Sequence, residues 1–160
     1  MNVSPTLHIV LHQPEIPQNT GNISRTCVAI SAKLWLVRPL GFELTDKRLR
    51  RAGLDYWKHL DWEVVDQWET LQARIPEFRP WLFSKSAPQL FTSVCYEPGD
   101  ALVFGSETTG LPRSLLAAAP ARTVRIPAGP HVRSLNLSNA VAVAAYEALR
   151  QWNYPGTSER

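Results

Sequence analysis

The chain reads as an α/β fold, a mostly parallel sheet with helices on both faces, and three observations predict it. Short β-rich runs alternate with segments of helical composition along the chain. Its 160 residues, 44% of them hydrophobic, suit one domain with a real core. No internal repeat or low-complexity linker breaks the rhythm, so a single domain over residues 1–160 is expected.

The elements follow in order. Leu7–Leu11 is the first strand, then come a helix over Asn19–Ser31, a strand at Leu34–Val37 and a helix over Thr45–Ala52. Glu63–Val65 is the third strand, with a helix over Gln67–Ile75 behind it and a fourth strand at Trp81–Phe83. Ala101–Phe104 reads as a buried strand, and Pro112 is well placed to start a helix that runs to Ala118. Thr123–Ile126 is the last strand. The final helix, Asn136–Trp152, begins among the capping types Ser134, Asn136, Ser138 and Asn139 and continues in Ala and Val. Beyond Tyr154, Pro155, Gly156 and Ser158 predict a frayed tail.

Composition narrows the setting. Lys and Arg outnumber Asp and Glu by 17 to 14, a formal charge of +3 that permits an anionic partner without demanding one. Cys27 and Cys95 form no C-x-x-C, which argues against a disulfide scaffold or a cysteine zinc site and suits a reducing cytoplasm. His8 and His12 have no carboxylate at metal-like spacing, so no metal is expected. The start carries no export signal and no apolar run is long enough to span a bilayer, so a soluble protein away from membranes is expected.

The glycines exclude the common nucleotide loops. No G-x-G occurs, which removes the dinucleotide fingerprint. Gly105 and Gly110 have the P-loop interval, but Leu111 and Pro112 stand where Lys and Ser or Thr are required. What remains is F-G-S-E-T-T-G-L-P, Phe104 to Pro112, directly after a strand. Gly105 there serves either a close backbone approach to a ligand or a strand-to-helix turn that needs positive φ. Glu107 is read as structural or locally electrostatic, capping the helix near Pro112, in preference to a ligand contact. Earlier, N-T-G-N-I-S-R places Arg25 on the first helix after the first strand, a usual position for functional groups in α/β sheets.

In order, N-x-G-N-x-x-R, F-G-x-E-x-x-G-L-P, and I-P followed by R-S-L-N-L-S-N-A resemble the three motifs of the SPOUT superfamily of trefoil-knotted RNA methyltransferases. P-E-I-P-Q-N-T-G-N, D-K-R-L-R-R-A-G-L-D-Y-W and Y-E-A-L-R-Q-W resemble one branch of it, the tRNA 2′-O-methyltransferases of the wobble cytidine or modified uridine. The resemblance implies a C-terminal trefoil knot and a minimal catalytic domain without a separate RNA-binding extension. It also implies S-adenosyl-L-methionine as cofactor, clasped by the segment after Phe83, the Gly105 loop and the loop from Ile126 to Ser134. Ser134 and Asn136 then hydrogen-bond cofactor groups.

The same resemblance makes Arg25 the catalytic residue. Because guanidinium is a poor base, stabilising an oxyanion and positioning a phosphate suit it better than proton abstraction. Asn19 and Asn22 order the loop that presents Arg25, with Asn19 also placed among the substrate-binding residues. A homodimer is implied, built from the first and last helices, with Tyr146 serving there or at the substrate.

Lys47, Arg48, Arg50 and Arg51, followed by Tyr56, Trp57, Lys58 and His59, form the densest basic cluster. Alone it reads as a solvated helix face beside core aromatics; beside a methyltransferase motif it reads as a tRNA surface, with Arg48 and Arg51 on the anticodon stem-loop. His131 reads as a solvent-facing loop residue. Two alternatives stand: a ribosomal RNA 2′-O-methyltransferase of the same superfamily, and a knotted RNA-binding protein without turnover.

Overall fold

The β-rich runs become β1 (His8–His12), β2 (Lys33–Val37), β3 (Trp62–Val65), β4 (Pro80–Phe83), β5 (Gln89–Leu90), β6 (Ala101–Phe104) and β7 (Thr123–Arg125). This computed structural model describes residues 5–45, 47, 49, 51 and 56–155. The seven strands form one sheet in the order β3-β2-β1-β6-β4-β7-β5. Each of these strand pairings is parallel, so the mostly parallel sheet expected from sequence is wholly parallel among the described strands. β5 escapes a sequence reading because two residues are too few for a period to register.

The helices are α1 (Pro17–Ala29), α2 (Trp68–Arg74), α3 (Arg113–Ala118) and α4 (Leu137–Gln151). α1 starts two residues before the expected Asn19 because Pro17 fills a first-turn position where no N–H is required. It stops short of Ser31, which has a φ of 55°. The expected helix over Thr45–Ala52 runs through residues 46, 48, 50 and 52, which lie outside the described residues. The expected fraying after Tyr154 falls mostly there too.

Alternate residues of each strand build two cores. Ile9 and Leu11, Leu34 and Leu36, and Leu102 and Phe104 face Ile23 and Cys27 of α1 and Val141, Ala144, Ala145 and Ala148 of α4. On the other face Val10, Trp35, Val37, Leu82 and Val103 meet Leu71 of α2, with Leu115 and Leu116 of α3 packed alongside. The alanines of α4 let it lie close against α1, its neighbour on that face.

Polar side chains seal the end of the sheet where the strands begin. Asp100, 1% exposed, accepts hydrogen bonds from Arg79 Nε at 2.8 Å, Trp81 Nε1 at 3.0 Å and the Glu97 N–H at 2.9 Å. Its buried charge is therefore met by a cation and two further donors. Nearby, Trp35 Nε1 donates to His8 Nδ1 at 3.0 Å, which requires that nitrogen to be unprotonated. Lys33 lies over the Trp35 ring and pairs with Glu63 at 3.1 Å. Burial, aided by the Lys33 charge and opposed by Asp61, pushes His8 down from 6.5 to about 4.

This sets a pH response. Below pH 6.5 unfolded His8 takes up a proton that the folded chain refuses until about pH 4, so stability is full above 6.5 and is lost as pH falls through that window. His12, also lowered by burial, adds in the same direction. Urea denaturation should show the midpoint falling from pH 6.5 towards 4, and a shallower fall in His8→Gln, whose amide oxygen can accept the Trp35 N–H. An unchanged slope in the variant would remove His8 as the cause.

Candidate active site

The sheet order brings three sequence-distant loops together. β6, β4 and β7 are neighbours, and Phe104 pairs with Phe83, which pairs with Val124. The segments that leave these strands at Ser84, Gly105 and Ile126 therefore emerge side by side at the carboxyl edge, where open α/β sheets hold ligands. β1 ends beside β6 and sends residues 13–16 from the same edge into α1.

Each loop is built differently. Residues after β4 are pinned to β7 by Arg125, which donates to the carbonyls of Ala87 at 3.2 Å and Pro88 at 2.7 Å. Phe83 itself is 8% exposed and stacks on Phe104 at 4.6 Å, so its side chain belongs to the core beneath the site. Residues 127–136 are all exposed, with Ile126 half-buried at their base. Val132 N–H to Gly129 C=O, at 3.4 Å, is the one hydrogen bond within 127–135 among the described residues, and Ser134 is left without a protein partner. Free main-chain donors and acceptors on an exposed loop are the chemistry an adenosine and amino-acid ligand can use.

The Gly105 loop folds back on itself. Gly110 N–H donates to Ser106 C=O at 2.9 Å, and the Ser106 and Thr109 hydroxyls lie 2.8 Å apart. A Cβ on Gly105 would stand 2.0 Å from Gly110 C and 2.2 Å from Leu111 N. The close approach that requires glycine at 105 is thus to the loop's own backbone, and the positive φ, 71°, belongs to Gly110.

Glu107 is structural, as read from sequence, but its partners are not the expected ones. Its carboxylate does not cap the helix after Pro112; Oε2 accepts from the Glu15 N–H at 2.7 Å, and Oε1 from the Ile16 N–H and Asn19 Nδ2, both at 3.1 Å. Ile16, the N-cap of α1, has no side-chain acceptor, and Glu107 takes the N–H of Ile16 itself and of Glu15 before it, while the Asn19 and Thr20 N–H groups bond the Ile16 carbonyl. In return, Glu15 Oε2 accepts from the Thr108 N–H at 3.1 Å and its hydroxyl at 2.6 Å.

The chain of contacts continues. Asn19 is 6% exposed, its amide given to Glu107 and its carbonyl accepting from Asn136 Nδ2 at 3.0 Å. Asn136 Oδ1 caps α4, taking the N–H of Ser138 at 2.9 Å and of Asn139 at 3.4 Å. Both side chains expected to touch ligand are therefore turned towards each other, because each amide finds its partners inside the protein.

Arg25 is exposed on α1, its guanidinium 5.0 Å from the centre of the Tyr56 ring, a neighbour that sequence placed only in the basic cluster. Lys47, Arg51, Lys58 and His59 are exposed as well, while Arg48 lies outside the described residues. Tyr146 is 45% exposed on α4, one turn from Val143 at 41%. Among the described residues no cluster of His, Cys, Asp or Glu is arranged to hold a metal, and no helix is long and apolar enough to cross a membrane.

This sheet and its edge loops define a class. The model of the SpoU rRNA methylase family matches residues 6–146, and the chain belongs to that family. More narrowly, it is 48% identical over 157 residues to the tRNA (cytidine(34)-2′-O)-methyltransferase of Escherichia coli (strain K12), covering 94% of this chain and 96% of that protein. A solved structure described as giving structural insights into the 2-OH methylation of C/U34 on tRNA superposes with a TM-score of 0.88 at 46% identity, covering 94% of this chain and 99% of that one. The SpoU methyltransferase AviRb from Streptomyces viridochromogenes, in complex with the cofactor AdoMet, shares the fold at a TM-score of 0.84 and 21% identity, over 96% of this chain and 60% of its own.

The Gly105 geometry is testable on stability alone. Gly105→Ala drives a methyl into the Gly110–Leu111 peptide and should cost about 2–4 kcal/mol in chemical denaturation. A loss under about 0.5 kcal/mol would mean the loop yields freely.

Proposed function

We propose that this chain transfers the methyl group of S-adenosyl-L-methionine to the ribose 2′-hydroxyl of tRNA nucleotide 34, a cytidine or 5-carboxymethylaminomethyluridine in the anticodon loop. The observation that carries this reading is the near full-length 48% identity to an enzyme named for that reaction. The meeting of the three edge loops with the helix that bears Arg25 supports it. The domain works as a single unit over residues 1–160, in the cytoplasm.

S-adenosyl-L-methionine, when bound, supplies an electrophilic methyl group. The free backbone of residues 127–135 and the Ser134 hydroxyl would hold it, beside Phe83, Gly105 and Ile126 at the same sheet edge. A guanidinium is a forked donor and a poor base, so Arg25 stabilises the developing ribose oxyanion and holds an adjacent phosphate, which can take the hydroxyl proton. Asn19 and Asn136 act from behind these groups, through one another. Arg51, with Lys47 and Lys58, supplies salt-dependent attraction for the tRNA backbone; Arg48 is assigned the same role from sequence.

The C-terminal trefoil knot belongs to this reading. Its support is the insertion of β7 between β4 and β5, after which the chain returns to pack α4 against α1. So does a homodimer, which would cover Val132, Leu135, Val143 and Tyr146, all at least 37% exposed.

Nucleoside mass spectrometry after incubation with unmodified tRNA transcripts should show one 2′-O-methylated nucleotide, at position 34. Methylation of ribosomal RNA alone, or cofactor binding without any methylated ribose, would replace this reading with its rivals. Arg25→Lys keeps the charge but not the forked donors and should lower the single-turnover rate roughly 100-fold with cofactor affinity unchanged; near-normal turnover would remove the role. Tyr146→Asp should weaken self-association at least about tenfold in sedimentation, and an unaltered profile would move the interface elsewhere.

A further inference from the structure

Glu107 ties together parts of the molecule that the reaction needs in register. Its two oxygens take three donors from the segment that starts α1, and Glu15 returns two bonds to Thr108, so each segment's carboxylate is held by the other. The 13–16 segment is also backed by Gly41, where a Cβ would stand 2.7 Å from Glu15 Cα and whose N–H donates to Pro14 C=O at 2.9 Å. The start of α1 is thus held by both the Gly105 loop and Gly41. Asn19 passes the link to Asn136, whose carbonyl caps α4 where the 127–135 loop ends.

Arg25 lies eight residues beyond Pro17, about 12 Å along the helix, so the angle held at the first turn, together with the packing of Ile23 and Cys27, sets where its guanidinium stands. A displacement of about 1 Å at a reacting group can cost roughly 100-fold in rate. We infer that Glu107 is a positioning residue for methyl transfer: it clamps the start of α1 to the Gly105 loop and, through Asn19, to Asn136, and thereby sets Arg25 relative to the cofactor loops. This rests on the function proposed above and adds a residue that acts through another. It also joins the cofactor loops and the catalytic helix through one run of hydrogen bonds.

The test uses the full chain. Glu107→Gln keeps shape but places an amide where one oxygen accepted, turning a donor towards N–H groups. It should lower kcat on tRNA roughly 10- to 100-fold at saturating cofactor, with calorimetric affinity for S-adenosyl-L-methionine within about threefold. In an Arg25→Lys background the same change should cost less than about twofold, because the group it aligns is already spoiled. Asn19→Ala, a milder cut in the same link, should likewise add little to Glu107→Gln.

Hydrogen exchange gives a readout free of activity: amides of residues 15–20 should exchange at least about tenfold faster in Glu107→Gln while those of β1 and β6 hold. Additive losses with Arg25→Lys, a fall in cofactor affinity that matches the fall in kcat, or unchanged exchange at residues 15–20 would each overturn the inference. A wild-type chain that leaves tRNA unmethylated overturns the functional reading instead, whereas an active wild type with additive variants overturns only the role of Glu107.

Discussion

A single carboxylate, that of Glu107, holds the backbone just ahead of α1 by the N–H groups of Glu15 and Ile16. The rest of the site depends on that constraint. Without it, the N–H groups of Glu15 and Ile16 would be left to water, and the segment joining β1 to α1 would keep only the bonds from Thr108 to Glu15 as its side-chain tie to the loop after β6 among the described residues. With it, the order of strands at the sheet edge becomes an order of functional groups. The negative charge also lies at the positive end of the α1 dipole, so electrostatics and hydrogen bonding favour the same placement.

The two ends of the strands divide the labour. At the amino end, Asp100, Arg79 and Trp81, and separately His8 and Trp35, close the sheet with buried, mutually satisfied polar groups. At the carboxyl end, loops keep hydrogen-bonding capacity in hand, most of all between residues 127 and 135. One end is stiff because its polar groups are used up, and the other can bind because its groups are not. The two apolar faces between them fix the spacing, with α1 and α4 on one side and α2 and α3 on the other.

Much of the fold was legible because parallel strands buried on both faces leave short apolar runs, and six of seven strands were found that way. β5 was not, since Gln89 and Leu90 carry no period. Helix ends drifted by a residue or two where Pro17 and Pro112 shift the first turn. At the site, motif order placed the three loops, but it could not say which way side chains turn. The resemblance set Asn136 at the cofactor and Asn19 at the substrate and the loop that presents Arg25; that the two amides bond each other was not legible, because only the third dimension brings partners 117 residues apart to 3.0 Å. Gly105 was legible as a necessity, but its reason, a backbone of its own loop standing where a Cβ would be, was not.

The exposed stretch from 127 to 135 has a thermodynamic consequence. Water serves its free backbone groups when no ligand is bound, so the loop contributes little to the stability of the empty chain. Any ligand that orders it adds its binding free energy to folding by mass action, about 2.7 kcal/mol at a hundred times its dissociation constant. The chain's resistance to heat and proteases would then track the supply of whatever ligand orders this loop, so that scarcity of that ligand would lower the amount of protein.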